Sequence, residues 1–198
     1  MKTTLAAMLL MLMTAAAVSA QEIVLPQPKK TGGMPLMEAL NKRQSIRSYT
    51  HQAIDNQTLS NLLWAAWGYN RDNKRTAPSA LDKQEIDLYV VLPSGAYLYD
   101  AKGNKLVLVT GEDVRKTVGA PQEFSQNAPL NIVLVSDKTK GDHAMNAGYI
   151  SQNIYLFCAS EGLGTVARGG FKADDIRKAL NLSQNQKPVL VQPVGKVQ

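Results

Sequence analysis

The sequence predicts an α+β fold in which helices flank a central sheet. Segments rich in β-branched and aromatic residues recur along the chain and are bounded by turn residues, as is typical of strands. Between them lie segments whose apolar residues recur at helical spacing. Both patterns fall within 198 residues that show no internal repeat and no low-complexity tract. After an N-terminal leader and tether, the sequence therefore predicts one domain at residues 34–198.

Residues 1–20 are predicted to be a secretory signal peptide. Lys2 supplies the positive start, residues 5–18 form an apolar run, and Ser19 and Ala20 are small residues at the cleavage position. The apolar run is about fourteen residues long, shorter than the roughly 20 that span a bilayer. A single membrane anchor is the alternative. We expect cleavage after Ala20, a periplasmic or secreted location, and no stable membrane insertion of the mature chain.

Composition excludes several classes of function. The net charge is +6, but no stripe of basic and aromatic residues indicates a nucleic-acid face. The single cysteine, Cys158, cannot form an internal disulfide, and its apolar neighbours favour a buried residue over a nucleophile. His51 and His143 lie far apart and outside any metal-ligand pattern.

The predicted elements begin after a flexible tether at residues 21–33, which is rich in proline, glycine and lysine and has little to bury. Pro35 fits the first turn of a helix that runs to about Lys42. Asp55 or Asn56 can cap a second helix, which Gly68 ends. A polar, irregular stretch follows at 71–83. The remaining predictions are a strand at 86–92, a hairpin of 96–99 and 106–109, a short helix at 112–118, a loop at 119–129, a strand at 131–136, a long helix at 143–161, a short strand at 165–167, a tight turn at 168–171, a helix at 173–180 and a last strand at 188–194.

The segment after the first helix carries the clearest chemistry. Arg43 and Arg47 present planar, permanently charged guanidinium groups that suit a phosphate, and Ser45 between them adds a hydroxyl donor. Two arginines in a basic protein can also be solvated surface charges. The segment alone leaves both readings open.

The pattern Arg-x-Ser-x-Arg-x-aromatic at residues 43–49 resembles the opening motif of the nitroreductase family of FMN enzymes. That resemblance implies that Arg43, Gln44 and Ser45 hold the phosphate and ribityl end of FMN and that Arg47 assists. Lys196, after the predicted last strand, resembles the basic residue that often reaches the phosphate in this family. Arg168 is a candidate to replace it.

Two further segments resemble parts of the same family. Pro78, Ser79 and Ala80 occupy the place of its Pro-Ser-small loop, with Asp82 at the position of its asparagine and Gln84 at that of its glutamine. Gly169 and Gly170 resemble the segment whose backbone approaches the flavin ring, and glycine permits such an approach because it has no Cβ. The segment Tyr97-Leu98-Tyr99-Asp100, with the hairpin that follows, resembles the branch that includes azoline dehydrogenases.

The resemblance covers about residues 34–196 and implies a nitroreductase-like fold. It implies a central, mostly antiparallel sheet flanked by helices, with the FMN site at a homodimer interface. The implied function is two-electron transfer between flavin and a small nitro-, quinone- or azoline-like substrate, with Phe124 on the open face of the ring. Ionised Asp82 can only accept hydrogen bonds, and its negative charge would oppose the electron-rich reduced ring if it touches the flavin. The alternative is that the loop is shifted and Asp82 faces solvent. Alternatives are a non-catalytic flavin or ligand-binding module and a structural dimer without FMN.

Overall fold

The computed structural model describes residues 22–141 and 144–198. The strands are β1 (Glu22–Val24), β2 (Tyr69–Arg71), β3 (Lys74–Arg75), β4 (Ile86–Leu92), β5 (Gly95–Asp100), β6 (Lys105–Thr110), β7 (Leu130–Asp137), β8 (Leu163–Thr165) and β9 (Gln186–Lys196). The helices are α1 (Leu36–Lys42), α2 (Asn56–Trp67), α3 (Arg115–Gly119), α4 (Glu123–Gln126), α5 (Met145–Ser160) and α6 (Ala173–Ala179).

Seven strands form the central sheet, in the order β1-β6-β5-β4-β7-β9-β8. Every neighbouring pair in this sheet is antiparallel. Strands β2 and β3 form a separate hairpin. Strand β7, which lies between β4 and β9, is buried from Leu130 to Ser136, and this burial explains the apolar run at residues 132–135. The predicted α+β class and mostly antiparallel sheet are confirmed.

Helices cover both faces of the sheet. Alternate residues of β4 point to opposite faces because side chains alternate along a strand. Leu88 belongs to the core beneath α2 and α5, whereas Tyr89 belongs to the core beneath α3 and α6. Cys158 lies in the first core with 1% of its surface exposed, and burial raises the pKa of its thiol. Cys158 is therefore a packing residue, as its sequence context predicts.

The ends of α2 confirm the predicted capping residues. The carboxylate of Asp55 accepts a hydrogen bond from the backbone N–H of Thr58 at 2.9 Å, which satisfies one of the unpaired donors of the first turn. The backbone N–H of Gly68 donates to the carbonyl of Trp64 and closes the last turn. The helix is thereby fixed over the sheet, and its apolar stripe is buried.

The predicted flexible tether at residues 21–33 is wrong for the described residues 22–33. Strand β1 pairs with β6, and Leu25 is buried in the core with 3% exposure. Asn104 donates to the carbonyl of Pro26 at 2.7 Å, and the N–H of Lys29 donates to Asn61 at 2.8 Å. Although this segment contains prolines and glycines, residues 22–24 retain the backbone donors needed for an edge strand, and Leu25 supplies an apolar side chain that is buried in the core.

Other boundaries also differ from the prediction: the helix predicted at 112–118 lies at Arg115–Gly119, and the strand predicted at 188–194 extends over Gln186–Lys196. The stretch at 71–83 contains most of the β2–β3 hairpin and a 3₁₀ turn at Ala80–Asp82, and the loop at 119–129 contains α4. Strand β8 lies at Leu163–Thr165, two residues earlier than predicted, because these residues pair with the end of β9. The predicted start of the long helix at His143 and the signal peptide at 1–20 lie outside the described residues. Within residues 22–141 and 144–198, none of the helices combines the length and apolar character needed to cross a membrane.

Candidate functional site

Residues 43–50 leave α1 and join the edge of the central sheet as extended backbone. The N–H of Ile46 donates to the carbonyl of Thr165 at 2.9 Å, and the N–H of Thr50 donates to the carbonyl of Lys196 at 2.9 Å. Tyr49 also forms an antiparallel bridge with Val197. These contacts fix the arginine motif against β8 and the end of β9, so the predicted residues Arg43, Gln44, Ser45 and Arg47 lie on one rigid edge.

Two glycines make this docking possible. A Cβ atom added to Gly164 would lie 2.8 Å from Cγ2 of Ile46. A Cβ atom added to Gly195 would lie 2.8 Å from Cβ of Tyr49. Neither position tolerates a side chain unless the motif moves. No local sequence pattern indicates these contacts, because Ile46 and Tyr49 are distant from the two glycines in sequence.

Tyr155 on α5 connects the arginine motif to the glycine segment. Its hydroxyl accepts a hydrogen bond from the N–H of Ala167 at 2.8 Å and lies 3.0 Å from Oγ of Ser45. The guanidinium of Arg43 stacks 5.2 Å from the centre of its ring. Sequence reasoning missed Tyr155, and the 110-residue separation from Ser45 offers no local signal.

The cationic groups of this edge are available to an anion. Arg43 and Lys196 are half-buried, whereas Arg47 is exposed. Within the described part of the chain, no acidic side chain forms an ion pair with any of these three residues. The described residues also contain no group of three side chains suited to a metal ion. The edge therefore presents guanidinium and hydroxyl donors to an anion the size of phosphate.

Gly169 and Gly170 lie on the surface just beyond Ala167. A Cβ atom added to Gly169 would meet nothing within 4 Å, and one added to Gly170 would lie 3.4 Å from Nε2 of Gln122. The internal packing of the chain therefore does not require glycine at Gly169. The open space instead fits a flat ligand lying against the backbone.

Substitution of the two kinds of glycine should separate folding from ligand binding. Gly164→Ala should cost about 1–3 kcal/mol of unfolding free energy, because the added methyl overpacks Ile46. Gly169→Ala should leave stability unchanged and weaken binding of a flat ligand about tenfold, as expected from a lost close contact. Chemical denaturation and FMN titration of both variants measure the two effects. Equal loss of stability in both would contradict the assignment.

Arg168 is not available to bind a phosphate, contrary to the sequence-based suggestion. Only 5% of its surface is exposed. Its guanidinium donates to Oγ of Ser125 at 2.6 Å and to the carbonyls of Ala120 at 2.9 Å and Gly170 at 3.2 Å. Burial lowers its pKa. Arg168 instead joins the glycine segment to the loop between α3 and α4.

Phe124 lies on α4, beside the arginine motif. It borders an open cleft of about 570 Å³ together with Arg47, Tyr49 and Gln198. This volume is within the range of small-molecule sites. The predicted substrate residue is therefore adjacent to the predicted phosphate residues.

The remaining predicted site residues form a second group on the loop after β3. The N–H of Gln84 donates to Oγ of Ser79 at 2.9 Å, and Asp82 accepts from Lys74 at 2.6 Å. Hydrogen bonds from Lys74, and to a lesser extent from the side-chain amide of Gln84, hold the pKa of Asp82 below its ordinary value. Pro78 is exposed, and Ala80 begins the 3₁₀ turn.

A single chain does not bring the two groups together. Asn146 near the start of α5 donates to Glu85, which follows Gln84, whereas Tyr155 further along α5 contacts Ser45. Residues 146 and 155 are about 13.5 Å apart along the helix axis at 1.5 Å per residue. The arginine motif, Gly169, Gly170, Lys196 and Phe124 form one edge, and residues 78–84 lie elsewhere.

Comparison with known proteins identifies the family. The model of the nitroreductase family matches residues 40–196, so the chain belongs to this family. A protein of Methanocaldococcus jannaschii, provisionally named a nitroreductase, is 29% identical over 195 residues, covering 88% of this chain and 96% of the relative. The crystal structure of a provisionally named nitroreductase from Ralstonia eutropha JMP134 matches with a TM-score of 0.84 and 36% identity, covering 91% of each chain. An FMN-dependent nitroreductase of Clostridium difficile R20291 shares the fold, with a TM-score of 0.60 and 22% identity over 82% of this chain and 87% of that chain.

Proposed function

We propose that this protein is an exported, FMN-dependent oxidoreductase. It transfers two electrons between bound flavin and a small, electron-poor substrate. The observation that carries the proposal is the edge where Arg43 and Ser45 meet Tyr155, with Arg47 close in sequence and Gly169 two residues beyond Ala167. Membership of the nitroreductase family supports the redox activity. The FMN-dependent relative from C. difficile supports the choice of cofactor.

The residues of this edge fit the two chemical parts of FMN. Arg43 and Arg47 would hold the phosphate by charge-assisted hydrogen bonds, and Ser45 would add a hydroxyl donor. Gln44 would contact the ribityl chain, and Lys196 would add positive charge near the phosphate. The open surface at Gly169 and Gly170 would receive the flat ring. When bound, the flavin itself supplies the redox chemistry.

We further propose a homodimer. Leu36, Met37 and Leu40 on α1 and Met145 and Tyr149 on α5 are exposed apolar side chains on two helices that pack against each other. A second copy would cover this surface. It would also bring its own residues 78–84 toward the arginine motif of the first copy, which one chain alone does not do. The flavin site would then be complete only in the dimer.

The apolar surface gives a direct test of the dimer. Met37 is 76% exposed, and Met37→Glu should convert the dimer to monomer, because a buried, unpaired carboxylate is costly. Val24→Glu is the matched control, because Val24 is 74% exposed but lies on β1 at the far edge of the sheet. Sedimentation velocity measures the outcome. A Met37→Glu protein that stays dimeric would contradict this interface.

The cleft beside Phe124 favours a small, flat acceptor. An aromatic ring at its edge suits stacking with a nitroaromatic or a quinone. The resemblance to azoline dehydrogenases adds an azoline as a third class. Tyr97 and Tyr99 of that segment are buried in the core, so they contribute packing there.

The competing function is a flavin-binding module without turnover. The FMN-loaded protein, reduced with dithionite under anaerobic conditions, should be reoxidised by a nitroaromatic or quinone within seconds. Phe124→Ala should slow this step while leaving FMN bound. Reoxidation by oxygen alone, with no effect of any acceptor, would favour the module.

Export is proposed from Lys2 and the apolar run at 5–18. Mass spectrometry of protein recovered from the periplasm or medium should give a chain that begins at Gln21. A chain that retains residues 1–20 would contradict it.

A further inference from the structure

The loop formed by residues 79–84 has an unusual backbone. Leu81, Asp82 and Gln84 have φ angles of 51°, 55° and 49°. L-residues rarely adopt this left-handed region, because Cβ approaches the carbonyl oxygen. Such a conformation persists only when surrounding contacts hold it, and it is common at functional sites. Leu81 is also 87% exposed, so an apolar side chain projects from a constrained loop.

Arg75 of β3 holds this loop through Gln84. Its guanidinium lies 4.0 Å from the ring centre of Tyr69 and 5.0 Å from that of Trp67. Nη1 donates to the carbonyl of Trp67 at 2.8 Å, and Nε donates to Oε1 of Gln84 at 3.0 Å. Arg75 thus joins the end of α2 to the loop. The side-chain amide of Gln84 also donates to the carbonyl of Asn73 at 2.8 Å. Both polar atoms of the Gln84 side chain are therefore hydrogen-bonded to the β2–β3 hairpin.

Gln84 in turn orients Ser79. The N–H of Gln84 donates to Oγ of Ser79, which therefore acts as an acceptor in this contact. A hydroxyl group has one proton to donate. That proton stays free for a group outside this hydrogen bond. Ser79 is thereby presented as a donor whose position depends on Gln84 and, through it, on Arg75.

Lys74, the neighbour of Arg75, sets the charge of the same loop. Its ammonium lies 2.6 Å from Oδ2 of Asp82. The family resemblance places an uncharged asparagine at Asp82. The ion pair makes this position neutral overall, so an aspartate can stand there without net negative charge. Lys83 is an exposed lysine of the same loop, and it forms no ion pair with the acidic residues that the structure describes.

We propose that Lys74 and Arg75 are positioning residues of the flavin site. Arg75 fixes the shape of the loop at 79–84, and Lys74 neutralises Asp82 where the loop meets the flavin ring. This inference rests on the proposed function, since the loop of one copy would serve the flavin held by the other. Neither residue touches the cofactor. Both act through the loop.

The role of Arg75 can be tested without flavin. In Arg75→Met, hydrogen exchange at the amides of Asp82 and Gln84 should become at least about tenfold faster, because the contact to Gln84 is lost. Amides of β7 should be unaffected. Arg71→Met is the control, since Arg71 is an exposed arginine of the same hairpin. Unchanged exchange in Arg75→Met would overturn the shape role.

The role of Lys74 can be tested through the flavin midpoint potential. Lys74→Met leaves Asp82 unpaired, so the potential should fall, because negative charge disfavours the reduced ring. Asp82→Asn leaves Lys74 unpaired, so the potential should rise. The double variant should return close to the wild-type value. A residue needed only for folding would not produce shifts of opposite sign that cancel.

Lys83→Met is the control for simple loss of charge and should shift the potential less than Lys74→Met. Wild-type protein that retains FMN while Lys74→Met and Asp82→Asn leave its potential unchanged would overturn only the charge role. Wild-type protein that retains no FMN would overturn the proposed function and the charge role with it. The exchange experiment on Arg75 would still decide the shape role.

Discussion

Arg43→Ala should weaken FMN binding about 100-fold while leaving the melting temperature unchanged. The variant loses a bidentate, charge-assisted contact to the phosphate, which is worth about 3 kcal/mol. Stability should not change, because Arg43 contacts its own chain chiefly by stacking on Tyr155. Titration of the apoprotein with FMN, followed by quenching of flavin fluorescence, measures the dissociation constant.

Lys42→Ala is the matched control for this prediction. Lys42 is the preceding residue and carries the same charge, but its ammonium is paired with Glu38 at 2.8 Å. If both variants lost the same affinity, general electrostatic attraction would explain binding. If Arg43→Ala kept full affinity, the phosphate would have to lie elsewhere on the protein.

Arg168→Ala should destabilise the protein by about 3–4 kcal/mol, because buried polar partners are left unpaired. Those partners are the hydroxyl of Ser125 and the carbonyls of Ala120 and Gly170. For a domain of this size, the melting temperature should fall by roughly 10 °C. Urea denaturation followed by circular dichroism measures the free energy.

Arg115→Ala serves as the control for Arg168→Ala. Arg115 is an arginine of α3 whose guanidinium pairs with Asp113 near the surface, so its loss should cost less than about 1 kcal/mol. Arg168→Lys should be intermediate, since lysine keeps the charge but not the planar fork. Equal stability of Arg168→Ala and wild type would refute the bridging role.

Local patterns predicted the framework of this fold. The apolar run of β7, the β-branched and aromatic residues of β4 and the capping group of Asp55 each have a physical cause within a few residues. The arginine motif was predicted for the same reason, since Arg43, Ser45 and Arg47 are close in sequence. Edge strand β1 was missed, because its proline- and glycine-rich context is typical of loops.

The rest of the site depends on contacts between distant residues. Tyr155 meets Ser45 across 110 residues. Gly164 and Gly195 matter because Ile46 and Tyr49 pack on them. No local pattern distinguishes these residues from ordinary helix and strand positions. Resemblance to a family indicated which residues could serve a flavin, but only the three-dimensional packing shows what holds them in place.

The central claim is that the edge at residues 43–47 binds FMN. The most direct test is the visible absorption spectrum of the mature protein after incubation with FMN and removal of free flavin by desalting. We expect a visible flavin band that corresponds to about one FMN per chain, because each chain carries one arginine motif. A colourless protein would contradict the account and leave a nitroreductase fold whose function does not use this cofactor.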